Sequence, residues 1–530
     1  MNLSIVTLLK ALPQMLKALV TIAQHCNNIQ TNIQTNVQTK KNRRSFYEMK
    51  TYKRIAVLSL VLLLLLNAFG GFSLAAAGET TENYVITSNP YQNVDWETYG
   101  QYKADFHAHS TNSDGSHTTA QMVEEHYARG FDILAMTDHD YTTFSWTTVD
   151  KGALSLSRTV QIETGAGRAD NRMIGVFPAN EQSSVDHINS FWASYNNTGQ
   201  GGLTAAAKMS ETIGIVEKSG GLTHINHPGR YTGGANSNDA LSMASSNNHD
   251  NVQKYVNFFM TYPSCLGLEI INKIDGESKS DRILWDNVLQ QTMPEGRSVW
   301  GFSNDDAHSL DAIGYSWNVM LMPALNTKET RIAMEDGAFY AVSRVARLDG
   351  INRYYPDSNM REVAGAGDGS TLYLLSQSTP SISNIVVSES TITITGADYD
   401  FVEWIADGKV IATGATIDLN DHKDEINSYV RAQLKSDTGI AFTQPFGVES
   451  HATNAGKKVV TPSASVEKLN GNKNNLTITV TETNSDGTTN TIKEMFSIDN
   501  NAANTYVVGQ YKVFVDTKGN TQIRACYIVE

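Results

Sequence analysis

Cysteine is scarce: the chain of 530 residues holds three, and only Cys265 and Cys526 lie beyond the export-type segment described below. These two fall in regions of different sequence character, which argues against a disulfide framework as the basis of the fold. Basic charge is also missing from most of the chain. The formal net charge is −14, yet residues 1–77 hold nine Lys/Arg against one Glu, so the remainder carries −22. A body that acidic excludes nonspecific attraction to nucleic acid. Neither low hydrophobic content nor extreme charge marks the chain as disordered, since 40% of residues are hydrophobic and 18% charged. At this length two to four folded units are expected, the first with a core large enough for an enzyme.

Long apolar runs are confined to one place. From Met49, "MKTYKR" is followed by "IAVLSLVLLLLLNAFGGF" and then "LAAAGE", the order of a secretory signal peptide with cleavage after Ala77. An uncleaved membrane anchor is the competing reading, because the run approaches spanning length. No cysteine follows the run, so nothing there suggests lipid attachment. Residues 1–48 contain the low-complexity stretch "NIQTNIQTNVQT", which cannot bury a core, and translation is expected to begin at Met49. The expected location is therefore secreted, with residues 49–77 as the signal peptide.

Between about 100 and 345 strand-like and helix-like segments alternate, from "KADFHAHS" and "TTAQMVEEHYARG" to "SKSDRILWDNVLQQ" and "SVWGFSNDDAH". That alternation predicts parallel strands with covering helices, in a barrel or an open sheet. Gly130 stands where a helix C-cap glycine belongs. After 345 the runs become short and alternating, which predicts a β-sandwich-like domain over 346–450 and a small β domain over 451–530. No repeat relates these two units, and Trp404 alternates as a core residue does. Such appended units could contact a cell-wall polymer or glycan, but no ligand is assigned to them.

Histidine is sparse too, with 13 residues, and ten of them lie between His107 and His308. On an extended strand residues i and i+2 point the same way, so His107 and His109 of "DFHAHS" share one face while Phe106 and Ala108 pack on the other. Asp306 and His308 of "SNDDAHS" repeat that spacing. Three more segments end on ligand-type residues: His139 in "MTDHD", Glu163 in "QIETG" and His227 in "INHPGR". In a parallel barrel all strand C-termini open on one face, where such residues can converge. Mixed imidazole and carboxylate donors suit Zn, Mn or Fe, whereas Ca and Mg sites are dominated by oxygen. His117, His126, His187 and His249 read as surface residues. His224 points away from His227 on a regular strand, which favours packing or a supporting role.

Over about residues 102–345 the motifs "DFHAHSTNSDG", "AMTDHD", the Glu strand, "NHPGR" and the Asp-x-His strand, in that order, resemble the polymerase-and-histidinol-phosphatase (PHP) family of metal-dependent phosphoesterases. The resemblance implies a distorted (β/α)7 barrel over 78–345, with two or three divalent ions (Mn, Zn or Fe) at the strand C-terminal ends. It implies His107, His109, Glu163 and Asp306 around one metal and Asp114, His139 and His308 around another, with Glu163 bridging to a third site that includes His227. The family usually has a further histidine soon after the glutamate. Here "NRMIGVF" follows, with Arg172 or Met173 in its place, and Arg172 could supply part of the missing positive charge.

The implied reaction is hydrolysis of a phosphate ester, with clustered divalent ions acidifying a water. Arg230, close after His227, suits a phosphoryl oxygen. His224, Asp140 and water are the candidates for protonating the leaving group. The substrate would be a phosphorylated small molecule or polymer, as a mono- or diester. Two other classes stay open: hydrolysis of C–N or C–O bonds by the same chemistry, and a noncatalytic surface protein whose closed metal site is structural.

Overall fold

The computed structural model describes residues 84–166, 171–183, 186–194, 208–230, 245–272, 281–344, 377–436, 438–450, 459–468, 473–484, 488–499, 503–517 and 521–528. The leader, the signal-like run and the stretches 231–244 and 345–376 lie outside the described residues. Among the described residues no helix is long and apolar enough to cross a membrane.

In chain order the first elements are β1 (Tyr84–Ser88), β2 (Gly100–Asp105), α1 (Thr119–Ala128), β3 (Ile133–Leu134), α2 (Leu156–Thr164), β4 (Ile174–Gly175), β5 (Ala179–Gln182) and β6 (Ile188–Phe191). Then come α3 (Met209–Lys218), β7 (Leu222–Ile225), α4 (His249–Thr261), β8 (Cys265–Asn272), α5 (Asp281–Thr292), β9 (Trp300–Asn304), β10 (Ser316–Met322), α6 (Thr327–Asp336) and β11 (Phe339–Ser343). Local chemistry sets several of these boundaries. Thr118 and Gln121 form a reciprocal capping box at the start of α1, satisfying amides that have no partner inside the helix. Gly130 follows the end of α1 at φ +80, a backbone that glycine adopts without a Cβ penalty.

Two sheets carry the strands from β2 to β11. In one, β2, β3 and β4 run parallel, while β10 and β11 continue the sheet antiparallel from β2. In the other, of order β5-β6-β7-β8-β9, the last three strands are parallel and β5 and β6 are antiparallel. The expected closed (β/α)7 ring is not one sheet. Beyond the ends of β2 and β3 the two sheets are stitched by single bridges, Ala108 to Ala307 and His139 to Glu181. The β5–β6 hairpin interrupts the parallel order, and β3 and β4 are only two residues each. Both bridges involve or adjoin candidate site residues, so the site lies where the two sheets meet.

The boundary expected at 345/346 is crossed by the main-chain ladder. After β12 (Ser381–Ser388), β13 (Thr391–Ala397), β14 (Phe401–Ala406), β15 (Lys409–Thr413) and β16 (Thr416–Asp418) come β17 (Tyr429–Ser436), β18 (Gly439–Phe442) and β19 (Phe446–Ser450). Strand β18 pairs with β11, and β19 pairs with β1 at the other end of the chain. The apolar core is shared as well, with Trp317, Tyr340 and Val342 packed with Trp404, Leu434 and Ala441. Helix α5 is buried nearly all round, because β17 covers the face that would otherwise meet water. There Arg431 grips Asp286 with two hydrogen bonds of 2.8 and 2.7 Å, and the Tyr429 hydroxyl donates to the same carboxylate at 2.7 Å. Residues 377–450 therefore extend the first unit, because the outer edge of β11 and the outer face of α5 need a partner.

The last segment forms two three-stranded antiparallel sheets: β20 (Val459–Lys468), β21 (Lys473–Thr483) and β22 (Thr489–Asp499), then β23 (Ala503–Val508), β24 (Tyr511–Asp516) and β25 (Gln522–Ile528). Alternation along β21 buries Leu476, Ile478 and Val480, which pack with Val508, Tyr511, Val513 and Val515 as a separate cluster.

Candidate metal centre

The chain leaves β2 into "FHAH", where the alternation expected of a strand persists. Phe106 packs edge-on against Phe191 and Phe302 on one side. His107 and His109 are fully buried on the other, with Nε2 atoms 3.4 and 3.0 Å from one oxygen of Asp306. The loop after His109 turns back sharply. A Cβ on Gly115 would lie 2.8 Å from the His109 backbone, so only glycine allows this approach. Asp138 holds the loop by accepting from the amide and hydroxyl of both Ser110 and Ser113. Asp114 is thereby placed at the rim, about half exposed, with Oδ1 3.2 Å from His308 Nε2 and 3.6 Å from His139 Nε2.

At the centre stands Glu181 on β5, a residue the sequence reading passed over. Its carboxylate is fully buried and faces five imidazoles: His139 and His187 at 2.8 Å, His107 and His109 at 3.3 Å, and His227 at 3.5 Å. Glu163 does not take this place. It lies exposed on α2, a helix begun by the Ser155 cap and ended by Gly165 in the left-handed region. Those capping signals were readable in "SLSRTVQIETG" and mark a helix where a strand was expected.

With Glu181 as the glutamate, the further histidine is His187, six residues on at the start of the next strand. It is not a surface residue: its ring is largely buried and meets those of His139 and His227 at 5.0 Å. Arg172 is not a substitute, because its guanidinium donates to the Leu325 carbonyl. His126 is also buried, bonded to the Met122 carbonyl at 2.7 Å and to Asp105 at 3.2 Å, and braces the base of the site.

The proton ledger of these contacts is informative. The His308 Nδ1 faces the Asp306 carbonyl at 2.8 Å, and a carbonyl only accepts, so Nδ1 carries a proton and Nε2 is the nitrogen turned toward Asp114. His107 Nδ1 meets Glu269 at 2.8 Å, leaving Nε2 facing Glu181 and Asp306. His107 Nε2, His109 Nε2, His139 Nδ1 and Glu181 Oε2 are all buried without an aligned hydrogen bond. Acceptors that face one another at 2.8–3.4 Å need a proton or a cation between them. In the metal-free chain protons fill that role. Burial opposes the charge on His107, but Asp306, Glu181 and Glu269 override it and raise its pKa well above the ordinary value. The same balance lifts His109 to about 9. Glu181 is held well below the usual carboxylate range, because the surrounding imidazoles outweigh its burial.

Ligand atoms fall into overlapping groups that fit a divalent ion: His109, Asp114, His139 and His308; His107, His109 and Glu181; His139, Glu181 and His187. Mixed nitrogen and oxygen donors of this kind suit Zn, Mn or Fe. A neutral imidazole offers one lone pair, so His139, with Nε2 toward Asp114 and Nδ1 toward Glu181, serves one group at a time. Three site residues hold a left-handed backbone without being glycine: Asp140 (φ 52), His227 (φ 26) and Asp306 (φ 44). Strain of this kind persists only where surrounding contacts enforce it.

Two candidate proton donors differ in placement. His224 is fully buried, packed between Phe191 at 5.3 Å and Phe302 at 4.7 Å, and burial lowers its pKa to about 4. It is therefore a core residue packed among aromatic rings rather than a group on the more exposed rim, which argues against its assignment as a catalytic acid. Asp140 sits half-buried beside His139, with its carboxylate accepting from the Ser183 amide (3.0 Å) and hydroxyl (2.7 Å). Arg230 closes the 3-10 turn after His227, and its side chain lies outside the described residues.

No protein-family model and no curated protein matches the chain. Among solved structures it is similar to a Bacteroides vulgatus protein described as a two-domain protein containing predicted PHP-like metal-dependent phosphoesterase, with 14% identity, 80% of this chain and 100% of that chain covered, and a TM-score of 0.34. It is also similar to an amidohydrolase from Chromobacterium violaceum with bound sulfate and no metal (15% identity, 39% and 87% covered, TM-score 0.25). A third, described as a metal-dependent phosphoesterase of Bifidobacterium adolescentis, gives 16% identity, 39% and 87% coverage, and a TM-score of 0.24. Scores this low carry no inference about chemistry, which rests on the site itself.

Proposed function

We propose that the chain is a secreted metal-dependent hydrolase that cleaves phosphate esters, holding two or three divalent ions of the Mn, Zn or Fe kind. The observation that carries this reading is Glu181, a buried carboxylate ringed by five imidazoles at 2.8–3.5 Å, with His107 Nε2, His109 Nε2, His139 Nδ1 and its own Oε2 buried without an aligned hydrogen bond. Bound divalent ions supply Lewis acidity and a water nucleophile at neutral pH.

The protein's own groups do the rest. His107, His109, Glu181, His227 and Asp306 form the buried floor, while His139, His187, His308 and Asp114 form the more exposed rim open to a substrate. The rim is where an ester would dock, since the floor is closed to water. Asp140, steered by Ser183, is the candidate to protonate the leaving oxygen, and Arg230 the candidate to neutralise a nonbridging phosphoryl oxygen. Export by the signal-like segment from Met49 supports action on extracellular phosphorylated small molecules or polymers. In this reading the β-rich C-terminal segment is the candidate for contact with a wall polymer or glycan.

The test uses residues 78–530 purified without chelator. Two or three equivalents of transition metal per chain, with phosphate or nitrophenol release that disappears in a His107→Ala/His109→Ala variant, is the expected result. Bound metal with no turnover on either ester class would reject the phosphoesterase assignment. Failure to bind metal after reconstitution would reject the centre itself.

A further inference from the structure

Glu269, on β8, lies directly beneath the centre and belongs to none of the roles above. It is fully buried, and all of its acceptor capacity is used. Oε1 meets His107 Nδ1 at 2.8 Å and accepts from Asn304 Nδ2 at 2.8 Å. Oε2 accepts from the His227 backbone amide at 3.0 Å and from Asn272 Nδ2 at 2.8 Å. A carboxylate offers about four lone-pair sites, so nothing remains with which Glu269 could coordinate an ion, although it stands close enough to His107 and His227 to be counted with them.

Each of its contacts controls a candidate ligand. The bond to His107 Nδ1 fixes the tautomer that leaves Nε2 facing Glu181 and Asp306. The bond to the His227 amide holds a backbone at φ 26, in a region that non-glycine residues rarely occupy, and that conformation sets where the His227 ring points. The two rings end up stacked, 5.8 Å apart and 21° from parallel. Asn304 is itself locked, since its Oδ1 accepts from the Phe106 amide at 3.1 Å and from Asn318 at 3.0 Å. Glu269 is thus immobilised by strands β7, β8 and β9 together.

Resting on the metal-centre reading, we propose that Glu269 is a positioning residue: one carboxylate that sets the tautomer of His107 and the backbone of His227, so that each turns Nε2 toward Glu181 at the centre. A partner of this kind behind a metal-binding histidine typically controls affinity by about 10- to 100-fold.

The test takes the mature chain and Zn(II) alone, titrated in competition with a chelator, for wild type and Glu269→Gln. The amide keeps the shape but loses the charge and half of the acceptor capacity, so Zn(II) affinity should fall about 10- to 100-fold. A second readout needs no variant at Glu269. Nitrogen-15 spectra of Zn(II)-loaded wild type, with His107 assigned by its loss in His107→Gln, should show a proton on Nδ1 and coordination through Nε2. Wild-type affinity in Glu269→Gln, whatever its thermal stability, would overturn the proposal, as would His107 coordinated through Nδ1. If Glu269→Gln does not fold, the wild-type spectrum alone decides. Wild type that takes up no Zn(II) would overturn the centre itself, whereas tight wild-type binding unaffected by Glu269→Gln would overturn only the role of Glu269.

Discussion

Raising the pH of chelated protein from 6.5 to above 9 should destabilise it, and the size of the loss can be worked from His109. Burial opposes protonation of this ring, yet Asp306 and Glu181 lift its pKa from 6.5 to about 9. At 1.36 kcal/mol per tenfold change in proton affinity, that is roughly 3 kcal/mol of folding free energy. Its sign follows from the direction of the shift. Because the folded-state value is the higher one, the contribution is fully present below pH 6.5 and is lost as pH rises through about 9. His107, raised by the same carboxylates, adds loss in the same direction. Urea denaturation at intervals across this range, in chelator, measures it. The metal-loaded protein should behave oppositely, because ions compete with those protons and bind more tightly as pH rises. Glu181→Gln removes one of the two carboxylates that raise the His109 pKa and should flatten the metal-free slope. A metal-free stability that stays level or climbs between pH 6.5 and 9 would refute the proton bookkeeping.

Other consequences are as concrete. Arg431→Ala leaves the buried Asp286 carboxylate short of its cation and should cost about 3–5 kcal/mol, read as a lower urea midpoint. Glu163→Ala, on an exposed helix face, should change stability by no more than about 0.5 kcal/mol and leave metal content intact, whereas His187→Ala should lower metal per chain by elemental analysis. Ending the chain after residue 345 would strip the partner from β11 and the cover from α5. Such a chain should lose its cooperative unfolding transition and become sensitive to limited proteolysis.

Legibility differed from residue to residue, for physical reasons. The spacing of His107 and His109, and of Asp306 and His308, places side chains by the two-residue period of extended chain, which any strand obeys. Glu163 has the sequence surroundings of a central glutamate because a ligand-type residue shortly before a glycine is common to strand ends and helix ends; only the Ser155 and Gly165 caps tell them apart. The role of His187 is legible only once Glu181, six residues before it, stands as the central carboxylate. Glu269, inside "LGLEIIN", carries a signal in sequence: a lone carboxylate in an apolar run that is buried must have partners. The domain boundary misled because an edge strand and a domain end look alike in sequence, and the partner of β11 lies about 100 residues downstream, at Ile440–Phe442.

The alternation of strands and helices, the separate character of the C-terminal β segment and the face shared by each histidine or aspartate pair were determined by the sequence alone, because each depends on periods of two or about four residues. Which carboxylate reaches the centre, which imidazole nitrogen faces it and where one folded unit stops were decided only by the tertiary structure. Those questions turn on contacts between residues as far apart as His107 and Glu269, or Asp286 and Arg431. The free energy of a buried charge depends on the partners around it rather than on its neighbours along the chain.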